Sequence, residues 1–188
     1  MKIHFNRLNS LFILLIIVTL SACEKDISEE KVGIENVYIP QSISASTSDN
    51  NYAVPGNINF GAAKIFKDDE VNNKVQIYLG VAKSGTQETQ PFTVDISSRA
   101  DTINQLITAG SSFVLLPSAA YTLPPNISLA AGQTSASFNM VIDKPTLKAF
   151  AGKKVAACVS LSNPTKYTLN ARTKKVIIII DVDALKLK

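Results

Sequence analysis

Short apolar runs separated by turn-forming residues dominate this sequence of 188 residues and limit the folds that it can adopt. Several runs, such as 75–81 and 136–142, alternate apolar and polar residues with a period of two, which is typical of strands that bury one face. Runs of this character cover 37–39, 75–81, 92–96, 113–116, 127–129, 136–142, 155–161 and 176–182. Seven to eight short strands with turns between them predict an all-β fold, an immunoglobulin-like β-sandwich.

The last run, Val176-Ile177-Ile178-Ile179-Ile180, is apolar on both faces, whereas a sandwich strand normally exposes every second residue. Two interpretations remain open. The outer face is covered by a connector helix or by the segment 41–73, or it is a surface for a partner. Replacing Ile177 and Ile179 together, or Ile178 alone, by Thr distinguishes the core set from the outer set.

Two short connector helices interrupt the strands, at 101–108 and 145–150. Asp101 and Asp143 are the predicted N-caps, and a glycine follows each predicted helix end. The segment 41–73 is rich in Ser, Asn and Asp, so we predict a long surface loop or partial disorder there.

The N-terminus has the features of a bacterial lipoprotein signal. Lys2 and Arg7 precede the apolar stretch 11–20, which is too short to span a bilayer, and Leu20-Ser21-Ala22 leads into Cys23. We therefore predict a signal peptide at 1–22, a palmitate-type lipid anchor on Cys23, a polar tether at 23–34 and the β-sandwich domain at 35–188.

Composition removes several classes of function. The 19 basic residues fall to 17 once Lys2 and Arg7 leave with the signal, against 15 acidic residues, so no nucleic-acid partner is expected. His4, the single histidine, lies in the predicted signal peptide, which excludes histidine-based catalysis and imidazole metal sites from the mature chain. Cys158 lies in an apolar run and is predicted to be an inert core residue. No cofactor, metal or catalytic residue is predicted.

Carboxylates are the remaining side chains that could catalyse hydrolysis, and a glycosidase needs two of them facing one cleft. The candidates are Asp68, Asp69, Glu70, Asp95, Asp101, Asp143, Asp181 and Asp183. The Asp68-Asp69-Glu70 run is most simply a solvated loop, and Asp181 with Asp183 supplies too few oxygen ligands for calcium by itself. The sequence therefore predicts that the chain is not an enzyme.

The order of several motifs resembles a family of N-terminal domains of unknown function in surface lipoproteins of Bacteroides-type bacteria, often encoded in carbohydrate-utilisation loci. The carriers are Val37-Tyr38-Ile39-Pro40-Gln41, Ser84-Gly85, Leu116-Pro117, Tyr121-Thr122-Leu123-Pro124, Ala131-Gly132-Gln133-Thr134, Asp143 and Leu147. The resemblance implies a β-sandwich that is usually followed by a second domain, such as a glycosidase or a discoidin-like module. The sequence ends at Lys188, directly after the last strand, so we expect no glycosidase activity here.

These features predict a non-catalytic lipoprotein of the outer membrane, anchored by lipid at the cell surface, with a binding or adhesion role and a glycan or an outer-membrane protein as partner. The alternative is a structural or assembly component, such as a pilus-like subunit or scaffold, that docks through the last strand and the sheet edges. Aromatic platforms for a glycan would come from Tyr52, Phe60, Phe66, Tyr78 and Tyr167.

Asp101-Thr102-Ile103 also resembles the short pattern at which Bacteroides-type bacteria attach O-glycans to exported proteins, which makes Thr102 a predicted O-glycosylation site. Helix capping by Asp101 is the competing explanation for the same residues.

Overall fold

The computed structural model describes residues 34–43, 50–56, 65–85 and 87–188. The described residues belong to one compact unit, Gly33–Lys188. The predicted signal peptide, Cys23 and nearly all of the predicted tether lie outside the described residues. No helix in the described part is long and apolar enough to cross a membrane.

Twelve strands, two α-helices and three short 3-10 helices make up the regular structure of the described residues. The strands are β1 (Asn36–Tyr38), β2 (Asn51–Val54), β3 (Phe66–Asp69), β4 (Lys74–Lys83), β5 (Phe92–Ser98), β6 (Val114–Leu115), β7 (Tyr121–Thr122), β8 (Asn126–Leu129), β9 (Ser135–Asp143), β10 (Lys154–Ser162), β11 (Thr168–Leu169) and β12 (Lys175–Asp181). The helices are α1 (Ala100–Thr108) and α2 (Lys144–Lys148).

The strands form two sheets of six. One has the order β11-β1-β4-β9-β7, with β3 also paired to β4, and the other has the order β2-β12-β10-β5-β8, with β6 also paired to β10. Both sheets are mixed, because β1 runs parallel to β11, and β12 and β10 run parallel to β2 and β6. The predicted all-β sandwich is confirmed.

The main core lies between the two sheets. Alternate residues of each central strand point into it, including Ile77 and Leu79 from β4, Met140 from β9 and Ile178 from β12, all at 1% exposure or less. This alternation is the physical basis of the period-two pattern in the sequence.

All eight predicted strands are present, and four more, β2, β3, β7 and β11, were not predicted. The predicted loop 41–73 was wrong in part, because β2 and β3 lie within it. These four strands have two to four residues each and lie in polar sequence, so they carry too little periodicity to be recognised before their partners are known.

Both predicted helices are present, although α2 covers Lys144–Lys148 and not 145–150, and the first needs a further correction. α1 begins one residue earlier than predicted, Arg99 is its N-cap, and no side chain caps it, so the predicted capping role of Asp101 was wrong. Asp143 does occupy the N-cap position of α2, although its side chain makes no capping hydrogen bond. Gly110 and Gly152 follow the helices with positive φ, as a helix end requires.

α1 covers the outer face of β12 at Ile177, which supports the first interpretation of its apolar sequence, a connector helix over that face. α1 places Ile103 against Ile177 of β12 and Cys158 of β10, and these side chains form a second apolar cluster outside the main core. The edge of β12 is also paired, because β2 runs alongside it from Asn51 to Val54. Because β10 pairs with the other edge of β12, this strand has no free edge in the sheet, and the predicted docking of a partner by strand addition to β12 was wrong.

The two clusters predict an order of stability loss for Ile→Thr substitutions in β12. Ile178 is fully buried in the main core, so I178T should cost about 2–4 kcal/mol, through lost packing and a buried hydroxyl. I177T should lower the free energy of unfolding by less than I178T, because Ile177 is 5% exposed beneath α1. I179T should lower it by less than about 1 kcal/mol, because Ile179 is only half-buried. Urea unfolding of the three variants measures this order, and an equal loss at Ile178 and Ile179 would contradict the assignment of faces.

Candidate functional site

A groove of about 530 Å³ runs between α1 and the margin of the sheet where β2 joins β12. We call it the α1 groove. Its lining consists of Asn50, Asn51, Thr102, Gln105, Leu106, Ala109, Ser111, Phe113, Lys175 and Ile177.

The β2 wall of the groove is fixed by backbone pairing and by one side chain. Asn50 has φ of 54°, a conformation that Asn tolerates better than most residues, and its carbonyl accepts the N–H of Ile177 at 2.9 Å. Its side-chain amide donates to the carbonyl of Arg172 at 2.6 Å. Asn51 pairs with Ile177 across the parallel β2–β12 ladder. Asn51 therefore lines the groove from the outer side of β2, whereas the Asn50 amide is engaged with the Arg172 carbonyl.

The opposite wall is one face of α1 and the chain that follows it. Thr102, Gln105 and Leu106 lie at the i, i+3 and i+4 spacing that places side chains on one helical face. The helix ends at a turn in which Ser111 donates its N–H to the carbonyl of Leu106 at 3.0 Å. This reversal brings Phe113, which also packs against the outer cluster, back to the groove.

The lining combines hydrogen-bonding and apolar groups. Asn51, Gln105 and Ser111 offer amides and a hydroxyl, while Phe113 and Ile177 provide apolar surface. Lys175 is the one charged side chain, and no carboxylate belongs to the described lining. Amides beside an aromatic ring suit a ligand with many hydroxyl groups and apolar C–H faces, and general acid-base hydrolysis would need two carboxylates that this lining does not provide.

Thr102 lines the groove, and Cys158 of β10 is buried in the cluster beneath α1. Cys158 is 1% exposed, and burial raises the pKa of its thiol, against a smaller opposing effect of the Thr102 side chain. The predicted burial of Cys158 is confirmed. Thr102, the predicted O-glycosylation site, is half-buried in the first turn of α1. Next to it, the Arg99 guanidinium holds the pKa of Asp101 below its usual range.

Two of the predicted aromatic platforms are turned into the sandwich. Tyr52 points toward the main core, its hydroxyl donates to the carbonyl of Tyr78 at 3.4 Å, and burial raises its pKa to about 12. Phe66 packs against the same core. Phe60 lies outside the described residues. Tyr78 itself alternates with core residues of β4 and is half-buried on the outer face of its sheet, so of the three described rings it is the one available to a ligand.

Tyr167, the fifth predicted platform, makes its contacts with other residues of the sandwich. Its ring meets Phe92 edge to face with centroids 5.2 Å apart, and its hydroxyl accepts the N–H of Gln90 at 2.7 Å. The Nζ atom of Lys83, buried and paired with Glu35 at 2.8 Å, lies 5.0 Å from the ring centroid. These contacts give Tyr167 a structural role.

The predicted carboxylate candidates are dispersed and have local roles. Asp183 accepts the N–H of Gly152 with both oxygens, at 3.0 and 3.1 Å, and Asp181 accepts the N–H of Ala184 at 3.2 Å. The described residues contain no cluster of three or more His, Cys, Asp or Glu that would suit a metal ion.

The interpretation of Asp68-Asp69-Glu70 as a solvated loop was wrong for its first two residues. Both belong to β3, and Asp68 forms an ion pair with buried Lys144. Asp69 is 7% exposed and accepts hydrogen bonds from the side chains of Asn72 and Gln76 at 2.9 and 3.0 Å. The bond from Asn72 is the main reason that the pKa of Asp69 lies below its usual range.

Sequence reasoning missed most of the groove. It identified Thr102 and placed Leu106 on the apolar face of the helix, but it did not identify Asn51, Gln105 or Phe113. The signal for Gln105 was present, because a residue three positions after Thr102 shares its helical face. The signal for Asn51 was absent, since its position depends on a parallel pairing between β2 and β12, more than 120 residues apart.

The fold and groove define a β-sandwich module with a single helix packed on one outer face and an open cleft beside it. A family model described as "-like, N-terminal domain" matches residues 34–168. That match covers well over half of the sequence, and the chain belongs to this family of N-terminal domains. The predicted family is confirmed. No curated protein is similar enough to match.

Solved structures share the fold at low sequence identity. A protein from Bacteroides ovatus, described as a "putative carbohydrate binding protein", has 12% identity and a TM-score of 0.53 over 77% of this chain and 36% of its own. A two-domain protein of unknown function from Bacteroides fragilis has 11% identity and a TM-score of 0.51 over 85% of this chain and 50% of its own. A further protein of unknown function from Bacteroides ovatus has 14% identity and a TM-score of 0.51, over 78% and 45%. The chain thus spans about a third to a half of the length of these structures.

Proposed function

We propose that the protein is a non-catalytic binding lipoprotein, anchored by lipid at Cys23 on the cell surface of the outer membrane, and that it holds a glycan in the α1 groove. The observation that carries the binding role is the groove itself, whose lining combines the side-chain amides of Asn51 and Gln105 and the hydroxyl of Ser111 with Phe113 and Ile177. Sugars bind to such surfaces through hydroxyl hydrogen bonds and through contact of C–H faces with an aromatic ring.

Two other observations support a carbohydrate ligand. A structure with the same fold is that of a "putative carbohydrate binding protein" from Bacteroides ovatus. The volume of the groove, about 530 Å³, is within the usual range of small-ligand pockets.

The anchor rests on the predicted lipoprotein signal. A thiol at the mature N-terminus accepts acyl chains, and each buried methylene contributes about 0.8 kcal/mol, so two or more chains keep the protein on a membrane. The polar stretch after Cys23 then holds the sandwich clear of the lipid surface.

Glycan binding predicts a specific pattern of variants. In affinity gels that contain single polysaccharides, the full chain should be retarded by at least one polymer. Gln105→Ala and Phe113→Leu should each weaken that retardation about tenfold, as expected when one hydrogen bond or one stacking ring is lost. Gln105 is exposed and alanine favours a helix, so Q105A should not disturb the fold.

Tyr78→Leu is the matched control, because it removes the half-exposed ring on the other sheet. Loss of retardation by Y78L with Q105A unchanged would move the site to that sheet face. Self-association without retention by any polysaccharide would contradict glycan binding and favour the assembly role.

Lipid attachment predicts that the protein incorporates a palmitate analogue in a Bacteroides-type host and loses the label on Cys23→Ala. The variant should also keep residues 1–22, because lipoprotein signal processing requires the modified cysteine. Whole-cell protease treatment tests surface exposure of the labelled protein. A mature wild-type chain that carries no acyl mass would contradict the anchor.

O-glycosylation at Thr102 is the second modification that we propose. The Thr102 side chain is half-buried in the first turn of α1, so a transferase must reach it before α1 packs on the sheet. Intact mass of the protein from its native host should show glycan mass that disappears in Thr102→Val. The matched control Thr108→Val, at the other end of α1, should keep it, and wild type without added glycan mass contradicts the proposal.

A further inference from the structure

The charge of the α1 groove comes from one side chain. Lys175 begins β12 and shares the outer face of that strand with Ile177, and both residues line the groove. It is half-buried, and among the residues that the structure describes it takes part in none of the ion pairs.

The surroundings of this lysine in the described structure are more basic than acidic. The turn before β12 contributes Arg172 and Lys174, and the Asn50 side chain ties the Arg172 carbonyl to the groove wall. The nearest acidic side chain on α1 is Asp101, which is already paired with Arg99 at 3.4 Å. No carboxylate of the described lining faces Lys175.

A ligand that fills this groove covers an ammonium that water now solvates. Covering a charge without supplying a partner costs free energy, because the lost hydration is not replaced. A neutral glycan would leave Lys175 in this state, whereas an anionic group on the ligand forms a charge-assisted hydrogen bond with it. The groove therefore discriminates by charge as well as by shape.

We propose that the α1 groove selects an anionic polysaccharide, with Lys175 binding a carboxylate or sulfate of the sugar chain. This inference rests on the proposed glycan-binding function and adds the ligand class and the residue that specifies it. Asn51, Gln105 and Ser111 bind hydroxyl groups along the chain, and the ring of Phe113 contacts a sugar face.

The test compares polymers that differ in charge alone. The full chain, purified in detergent, is run in affinity gels that contain polygalacturonate or the same polymer with its carboxyls methyl-esterified, without calcium. Dextran sulfate and dextran form a second pair that separates sulfate from carboxylate recognition. We expect retention by an anionic polymer at least tenfold stronger than by its neutral match, as one charge-assisted hydrogen bond provides.

The lysine is tested by Lys175→Met and Lys175→Arg, with Lys174→Met as the matched control. K175M should lose the tenfold preference, K175R should retain most of it, and K174M should behave as wild type. Thermal unfolding followed by circular dichroism shows that the variants are folded. The preference should weaken as salt rises, because ions screen a half-exposed contact.

The outcomes separate this inference from the proposed function. Equal retention by the charged and neutral polymers, or an unchanged preference in folded K175M, overturns the anionic ligand and leaves glycan binding intact. An equal loss in K174M and K175M also overturns it, because that indicates nonspecific attraction to the basic turn. No retention by any polymer contradicts both proposals.

Discussion

The structure depends on covering both faces of β10 and β12. Residues 155–161 of β10 are all buried, and β12 buries Ile178 on one face and Ile177 on the other. A sandwich supplies one apolar layer, so the second face would be left in water unless another element covers it. α1 is that element. Its apolar face turns what would be an exposed patch into a second small core, and the sandwich has three layers at this position.

The α1 groove follows from the limited width of that helix. An α-helix with its side chains is about 10–12 Å wide, and adjacent strands are about 4.8 Å apart, so one helix covers two strands and not a third. α1 packs over β10 and reaches β12, which leaves the margin where β2 joins β12 open. Ile177 lies under the helix, whereas Ile179, two residues further along the same face, is only half-buried. The cleft is therefore a consequence of how the outer face of β12 is covered.

The sequence predicted the parts of this arrangement that depend on local pattern. The eight longer apolar runs became strands, and the apolar face of α1, with Ile103 and Leu106, was visible as a helical repeat. The two-sided character of β12 was also recognised, together with a helix as one of the elements able to cover it. Prediction failed where contacts are distant in sequence: the parallel alignment of β2 on β12 creates one groove wall, and no local pattern encodes that alignment. The capping role of Asp101 failed for a different reason, because the side chain pairs with Arg99 instead.

The two proposals that involve α1, O-glycosylation of Thr102 and glycan binding in the α1 groove, concern the same small region. They differ in whether modification occurs before or after the chain folds. Thr102 lines the groove, so a sugar attached to its hydroxyl would occupy part of the space that a bound polysaccharide needs. The folded protein keeps that side chain half-buried in the first turn of α1, which would protect it from a transferase once α1 is in place. Under these two proposals, a chain modified before folding would carry its own glycan at the groove, whereas a chain that folds first would keep the groove free for an external ligand. The extent of modification at Thr102 would then set the fraction of molecules in which Lys175 and Gln105 can bind a polysaccharide.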